Sequence, residues 1–279
     1  MAKSNSPVPD SNSDIADPSN GAARQFVNGF ARGLTVIRAF GEGAERLTLT
    51  QVAGRAGLTR AGARRLLLTL EELGYASHIG RQFFLTPKVL SLGYAYISSM
   101  PLWNIAQPIL GQLVQDTEEP CSISVLDDAA IVYVLRIPVR RILSIGGNVG
   151  SRLPAHATSM GRILLGSLLP DQLDLVLKKS EMVSYTRRTV TDIDKLRTLI
   201  AHDHAKGYSW IEGEMEEHVC GLSVPIYDSE QKIIAALNVS FNRPRVSREA
   251  VIKKFLPLLR AAAKQMTRAL SFGDRRRPP

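Results

Sequence analysis

The sequence predicts an α+β chain that opens with a winged helix-turn-helix, continues through a linker helix and ends in a larger mixed α/β region. Three observations carry this prediction. Residues 25–75 hold three segments with apolar residues at helical spacing, and only Gly57, Leu58 and Thr59 separate the second from the third. Two strand-like runs around Gly80 follow directly. Beyond Pro101, apolar strand-like runs and amphipathic helical stretches intermix.

Residues 1–24 are rich in Ser, Asn, Asp and Pro, with neither the apolar stretch of a signal peptide nor the Arg-rich pattern of a transit peptide. They are expected to be a disordered leader on a cytoplasmic chain. Leu34, Val36, Ile37 and Phe40 recur at helical spacing between Ala31 and Phe40, and Gly41 and Gly43 end that first helix. A second runs from about Thr50 to Ala56, with Leu49, Val52, Ala53 and Ala56 inward. Thr59 is a candidate N-cap for a third, Arg60 to Leu73, which Gly74 closes. Helices joined by so short a turn must cross steeply; Ala53 is small where they approach, and Leu58, Ala63 and Leu66 fill the wedge. Tyr75 to Leu85, with Gly80 at its centre and Pro87 beyond it, supplies a wing and completes a domain over 25–87. Val89, Leu92, Ala95 and Tyr96 on one side of Lys88 to Met100 predict a linker helix over 88–100.

The second domain is expected over 101–271. A helix from Asn104 to Thr117 precedes strands Cys121–Leu126, Ile131–Ile137 and Ile142–Ile145. Helices follow over Thr158–Leu168, Asp171–Lys178 and Asp192–Lys206. Strands Gly221–Tyr227 and Ile233–Phe241, joined by a polar connection, lead to a last helix, Arg248–Leu270, and a basic disordered tail, 272–279. No apolar run approaches the roughly 20 residues of a membrane helix, so no membrane partner is expected.

Winding the third helix at roughly 100° per residue puts Ala63, Leu66, Leu70 and Leu73 on its core face and Arg60, Ala61, Arg64 and Arg65 on its outward arc. The arginines cluster in the first half, the end a recognition helix presents to base edges, where Arg reads guanine through a bidentate contact. Thr59 and the first amides could instead hold phosphate. Arg81 in the wing, Arg32 on the first helix and Arg55 on the second are candidate phosphate contacts. An exposed arginine face is more often merely solvated; the winged frame is what favours double-stranded DNA here. Charge supports it: the chain carries a net +9, and the span from Arg24 to Lys88 holds ten basic residues against four acidic.

Catalytic chemistry finds little support, and no catalytic residue, cofactor or metal is expected. There is no phosphate-binding glycine loop and no G-x-S-x-G elbow. His202 and His204 are two apart on a helix and point away from each other, so His202-Asp203-His204 reads as solvated surface rather than metal ligands. Cys121 and Cys220 have no CxxC partner, as a reducing compartment allows. Nothing orients Cys121 or His156 as a nucleophile and base, and His156 reads as a buried structural residue. His218 and Cys220 read as core packing or pocket lining.

Phe30-Ala31-Arg32-Gly33-Leu34 with Val36-Ile37, Gly57-Leu58, Arg65-Leu66-Leu67 with Leu70-Glu71-Glu72-Leu73-Gly74-Tyr75, and Leu85-Thr86-Pro87 resemble the IclR family of bacterial transcriptional regulators. So do Leu153-Pro154-Ala155-His156-Ala157, Gly161-Arg162-Ile163-Leu164-Leu165, Gly207-Tyr208 and Val224-Pro225-Ile226, in the second domain. Phe30 to Ile37 together with Leu92-Gly93-Tyr94-Ala95-Tyr96 looks most similar to the branch controlling aromatic-acid catabolism, of the protocatechuate, 4-hydroxybenzoate and β-ketoadipate type. The resemblance implies a GAF-like effector domain, homodimers or homotetramers on palindromic operators, and a small organic acid as effector.

Carried over from the family, the effector pocket falls on Ile145 and Leu153 as apolar wall, on the Ser159-Met160-Gly161 turn, and on Glu212, Gly221, Asn238 and Ser240. Many members have Gly at the equivalent of His218 and Cys or Ser at that of Gly221, so ligand choice is expected to be altered around 218–221. The amides and hydroxyl of Ser159-Met160-Gly161 would suit a carboxylate, or serve simply as a helix cap. Asn238 and Ser240 share one face of their strand and need partners if that face is inward. Glu212 would repel a carboxylate unless protonated or bonded to a hydroxyl. A ligand-responsive transcription factor is therefore the leading expectation, beside a small-molecule-binding or enzymatic domain whose winged module contacts protein.

Overall fold

In the computed structural model, the described residues are 26–41, 43–139, 147–242 and 247–274. The chain separates into two compact units, residues 1–92 and 93–279. The first contains α1 (Asn28–Arg38), β1 (Leu47–Thr48), α2 (Leu49–Arg55), α3 (Arg60–Glu72), β2 (Ala76–Ile79) and β3 (Gln82–Leu85). Thr48 and Gln51 form a capping box at the start of α2, with the Thr48 amide donating to Gln51 Oε1 at 2.8 Å. Gly57 takes φ +65° in the turn, and Leu58 N–H reaches back to Ala53 O at 2.9 Å. Thr59 caps α3 by accepting from the Gly62 amide at 3.1 Å.

Val36, Phe40, Leu47, Val52, Ala63 and Leu67 form the centre of this unit's core. Leu73 departs from its predicted core face: it is 52% exposed, whereas Leu67 is fully buried. The inward line of α3 is Ala63, Leu67 and Leu70, with Leu66 at its flank. Leu73 is the residue after the last turn, where Gly74, at φ +77°, leads the chain away toward the wing. That wing is a three-stranded antiparallel sheet of order β1-β3-β2. Strand β1 was not expected, because two residues carry no alternation; it exists through the pairing of Leu47 with Phe83.

A 3-10 turn, Pro87–Val89, leads into α4 (Leu90–Ser99). No residue of α4 is buried, and Leu90, Tyr94 and Tyr96 are more than half exposed.

The second unit continues with α5 (Pro101–Thr117), β4 (Cys121–Asp127), β5 (Ala130–Ile137), β6 (Arg152–Pro154), α6 (Ser159–Leu165), α7 (Pro170–Lys179) and α8 (Ile193–Lys206). Then come β7 (Ser209–Glu212), β8 (Val219–Tyr227), β9 (Ile233–Asn242) and α9 (Arg248–Asp274). The six strands form one antiparallel sheet of order β6-β5-β4-β9-β8-β7. The expected strand Ile142–Ile145 lies outside the described residues, while β6 and β7, both short, come in addition.

Alternation along the central strands makes the two faces chemically different. Leu222, Val224, Leu237 and Val239 point toward α5 and α9, where Leu110, Leu259 and Met266 complete a continuous apolar core. The other face carries Ser122 and Ser124 on β4, Gly221 and Ser223 on β8, and Asn238 and Ser240 on β9. Helix α6 lies against that polar face, and α8 packs behind it through Ile163, Leu165, Leu196 and Ile200.

Candidate functional site

In the first unit, Arg60, Ala61, Arg64 and Arg65 are all exposed on the first half of α3. Thr59, Gly62 and Arg65 line a groove with Gly29 and Arg32 of α1, so Arg32 stands beside the start of α3. Arg81 is exposed at the tip of the wing. Arg55 differs: its guanidinium donates to Ala39 O at 3.2 Å, tying α2 to the end of α1. At the far end of α3, Glu71 pairs with His78 of the wing at 2.6 Å, which leaves the arginine-bearing half as the cationic end.

In the second unit, a cavity of about 300 Å³ lies between α6 and the polar face of the sheet. Leu153, Ser159, Met160, Gly221, Asn238 and Ser240 all line it. Ser159 and Ser223 hydroxyls lie 2.8 Å apart, and Asn238 Nδ2 donates to Ser159 Oγ at 3.2 Å and Ser223 Oγ at 3.1 Å. Gly221 makes this triad possible, since a Cβ there would stand 2.7 Å from Ser159 Oγ. Ser240 Oγ, in contrast, is buried with no hydrogen-bond partner among the described residues. A hydroxyl in that condition costs about 1–3 kcal/mol unless something in the cavity bonds it.

Two predicted pocket residues, Glu212 and Gly161, fall elsewhere, and a third is not among those described. Ile145 lies outside the described residues. Glu212 is turned away because Ile211, its neighbour on β7, faces the cavity; its carboxylate pairs with Arg188 Nη1 at 2.9 Å. Gly161 is a packing glycine, whose Cβ would stand 2.0 Å from Ala155 O, and its amide donates to Thr158 Oγ1 at 3.1 Å. At Gly161, then, the amide serves helix capping. The structure adds Tyr133 on β5, Ile211 on β7, and Met215 and Glu216 in the connection between β7 and β8. Ser122 and Ser124 at alternate positions of the apolar run Cys121-Ser122-Ile123-Ser124, with Ser223 between Leu222 and Val224, are the signal in the sequence for the polar face of the sheet. Nothing local in the sequence marks Met215 or Glu216.

Burial raises the Tyr133 hydroxyl above its usual pKa, with the Arg136 guanidinium opposing the shift. That group therefore stays protonated and can donate to an acceptor in the cavity. Next to the cavity, Arg162 of α6 and Glu214 form a buried ion pair, with Nη2 at 2.7 and 2.9 Å from the two carboxylate oxygens. Burial raises the Glu214 carboxyl, Asp203 adds to the rise, and Arg162 with the Val190 amide opposes it. His156 is 1% exposed; its Nε2 meets Val183 O at 3.3 Å, and burial lowers its pKa. Cys121 belongs to the apolar core on the opposite face of the sheet, and burial pushes its thiol up to about 12, so it is no nucleophile at neutral pH. Asp203 also departs from the solvated reading of His202-Asp203-His204, being buried and bonded to Ser209 Oγ at 2.6 Å. Among the described residues no group of three or more His, Cys, Asp or Glu could hold a metal ion, and no helix is long and apolar enough to cross a membrane.

Residues 30–79 match the IclR helix-turn-helix domain, and residues 94–268 match the bacterial transcriptional regulator IclR C-terminal domain. The Pca regulon regulatory protein of Pseudomonas putida is 41% identical over 249 residues, 89% of this chain and 85% of that protein. A crystal structure from Rhodococcus sp. RHA1 is 43% identical with a TM-score of 0.80, covering 89% of this chain and 100% of that one. An IclR homolog from Microbacterium hydrocarbonoxydans, solved in complex with 4-hydroxybenzoate, is 26% identical with a TM-score of 0.76, covering 87% and 99%. Since both domain types match in order and together span most of the described chain, the protein belongs to the IclR family of bacterial transcriptional regulators.

Proposed function

We propose that the protein is an effector-responsive regulator of an aromatic-acid catabolic operon, working in the cytoplasm on operator DNA rather than as an enzyme. The observation that carries this reading is the cavity over the sheet: apolar walls from Leu153, Met160 and Ile211 around a floor that offers Ser240 an unmet hydrogen bond. Its volume lies at the lower end of the range for ligand pockets, which suits a single-ring acid. The Ser159-Ser223-Asn238 cluster and the Tyr133 hydroxyl supply polar groups able to orient a carboxylate and a ring hydroxyl. The 4-hydroxybenzoate complex of the Microbacterium homolog and the name of the Pseudomonas relative support the same ligand class and pathway.

Arg60, Arg64 and Arg65 read the operator from the major groove, while Thr59, Arg32 and Arg81 hold phosphates. Arg55, anchored to Ala39 O, contributes charge more than a mobile contact. A homodimer, or a tetramer built from it, is supported by Phe30 and Leu34 on α1 and by Leu90, Tyr94 and Tyr96 on α4, all of which this chain leaves exposed. Effector binding shifts the population of two arrangements of such an assembly and so changes operator affinity.

The test measures binding to the DNA upstream of the gene, as a function of salt and of 4-hydroxybenzoate or protocatechuate. The expected result is a steep negative log-log salt slope, an affinity that either acid changes several-fold, and a large loss in the Arg64→Ala/Arg65→Ala double variant. A slope near zero, or wild-type affinity in the double variant, would overturn DNA reading by α3. No heat of binding from benzoates, phthalates or ring-cleavage acids at millimolar concentration would overturn the effector class.

A further inference from the structure

The part of the cavity wall that the sequence does not announce is the connection between β7 and β8, which contributes Met215 and Glu216. Six residues, 213–218, link Glu212 to Val219, more than a tight hairpin needs. Such a connection is ordinarily mobile unless its main chain is bonded elsewhere. Here it is bonded at each of its first two residues. Thr186 Oγ1 donates to Gly213 O, and Thr189 Oγ1 donates to Glu214 O at 2.6 Å. The Glu214 carboxylate accepts from Val190 N at 3.3 Å and from Arg162 Nη2 at 2.7 and 2.9 Å. Gly213 N–H closes on Val219 O at 2.8 Å, and Gly213 itself has φ +72°, with a Cβ there set 3.0 Å from Arg188 Cδ and 3.1 Å from Glu217 O.

We propose that Glu214 and Arg162 are positioning residues for the effector: their buried ion pair fixes the Met215–Glu216 wall to the helix that carries Ser159 and Met160 into the cavity. The inference rests on the reading of that cavity as the effector site. Arg162 stands one turn along α6 from Ser159, so the pair couples two parts of the cavity lining that are far apart in sequence. A buried charge pair contributes little net stability, because desolvation offsets most of the attraction. Its effect here is geometric. With the pair intact, the wall carrying Met215 and Glu216 is pre-formed; without it, the effector must order that wall on binding and binds more weakly.

The experiment uses the full-length protein and the Glu214→Gln variant, which keeps the side chain's shape and removes its charge. Hydrogen exchange without ligand and calorimetry with 4-hydroxybenzoate are the two measurements. The expected result is exchange that rises more over 213–219 than in α8, together with at least tenfold weaker 4-hydroxybenzoate binding. Unchanged exchange over 213–219, an equal rise throughout the second unit, or a local rise with wild-type affinity would each overturn the proposal. If Glu214→Gln does not fold, Thr189→Val removes the bond to Glu214 O together with those Thr189 Oγ1 accepts from the Tyr185 and Thr186 amides, and faster exchange over 185–189 and 213–219 with about threefold weaker binding is expected; wild-type exchange over 213–219 or wild-type affinity would overturn it. If the wild type itself binds no aromatic acid, the effector assignment falls, while the exchange measurement still decides whether the pair holds the wall.

Discussion

Gly221 and His156 show how much of this domain's chemistry is set by single positions. A methyl group at Gly221 would meet Ser159 Oγ at 2.7 Å and Asn238 Nδ2 at 3.3 Å, and the cheapest escape is rotation of Ser159 away from Ser223. Gly221→Ala is expected to weaken 4-hydroxybenzoate binding about tenfold by calorimetry while leaving the fold intact, because only a side-chain rotamer has to yield. His156 is buried next to the cavity, and its imidazole is held below the usual 6.5 by desolvation. Below that value the unfolded chain takes up a proton that the folded one resists. Stability from this group is complete above about pH 6.5 and declines as pH falls toward the folded-state value. Urea unfolding between pH 8 and pH 5 should show this decline in the wild type and a shallower one in His156→Gln; equal slopes would exclude His156 as a source.

At the scale of elements, α3 tests how periodicity becomes packing. Its core line runs through Ala63, Leu67 and Leu70, so Leu67→Ala should cost about 2–5 kcal/mol in the unfolding of the first unit. Leu73→Ala should change it by about 0.5 kcal/mol or less, as for an ordinary surface site. Reversed magnitudes would restore the predicted face. The helices of the first unit were legible because a local apolar period defines them and Thr59 caps the third, whereas the Thr48 cap that starts α2 at Leu49 was visible only in the structure. Strands β1, β6 and β7 were not, since each has two to four residues and is stabilised by its partner across the sheet. Glu212, which the family resemblance puts in the pocket, faces the other way because alternation along β7 turns Ile211 to the cavity.

For the whole molecule, two compact units with separate cores imply two separable responses. A ligand that occupies the cavity should raise the stability of the second unit by about 2.7 kcal/mol at a concentration 100 times its Kd. Thermal unfolding with 4-hydroxybenzoate should therefore move the transition of the second unit, and Gly221→Ala should shrink that shift. An equal shift in wild type and variant would place the ligand elsewhere. By itself, the sequence determined the α+β class, the helix-turn-helix with its outward arginines, the family, and Asn238 and Ser240 as one face of a strand. These follow from local period, local capping and specific motifs, which survive without tertiary context. Only the tertiary structure decided that Tyr133, Met215 and Glu216 share a cavity with them, that Gly161 packs on Ala155, and that Arg162 and Glu214 join two distant segments. Such contacts depend on which strands neighbour each other and on which way each side chain points. Those are properties of sheet order, and no window of adjacent residues contains them.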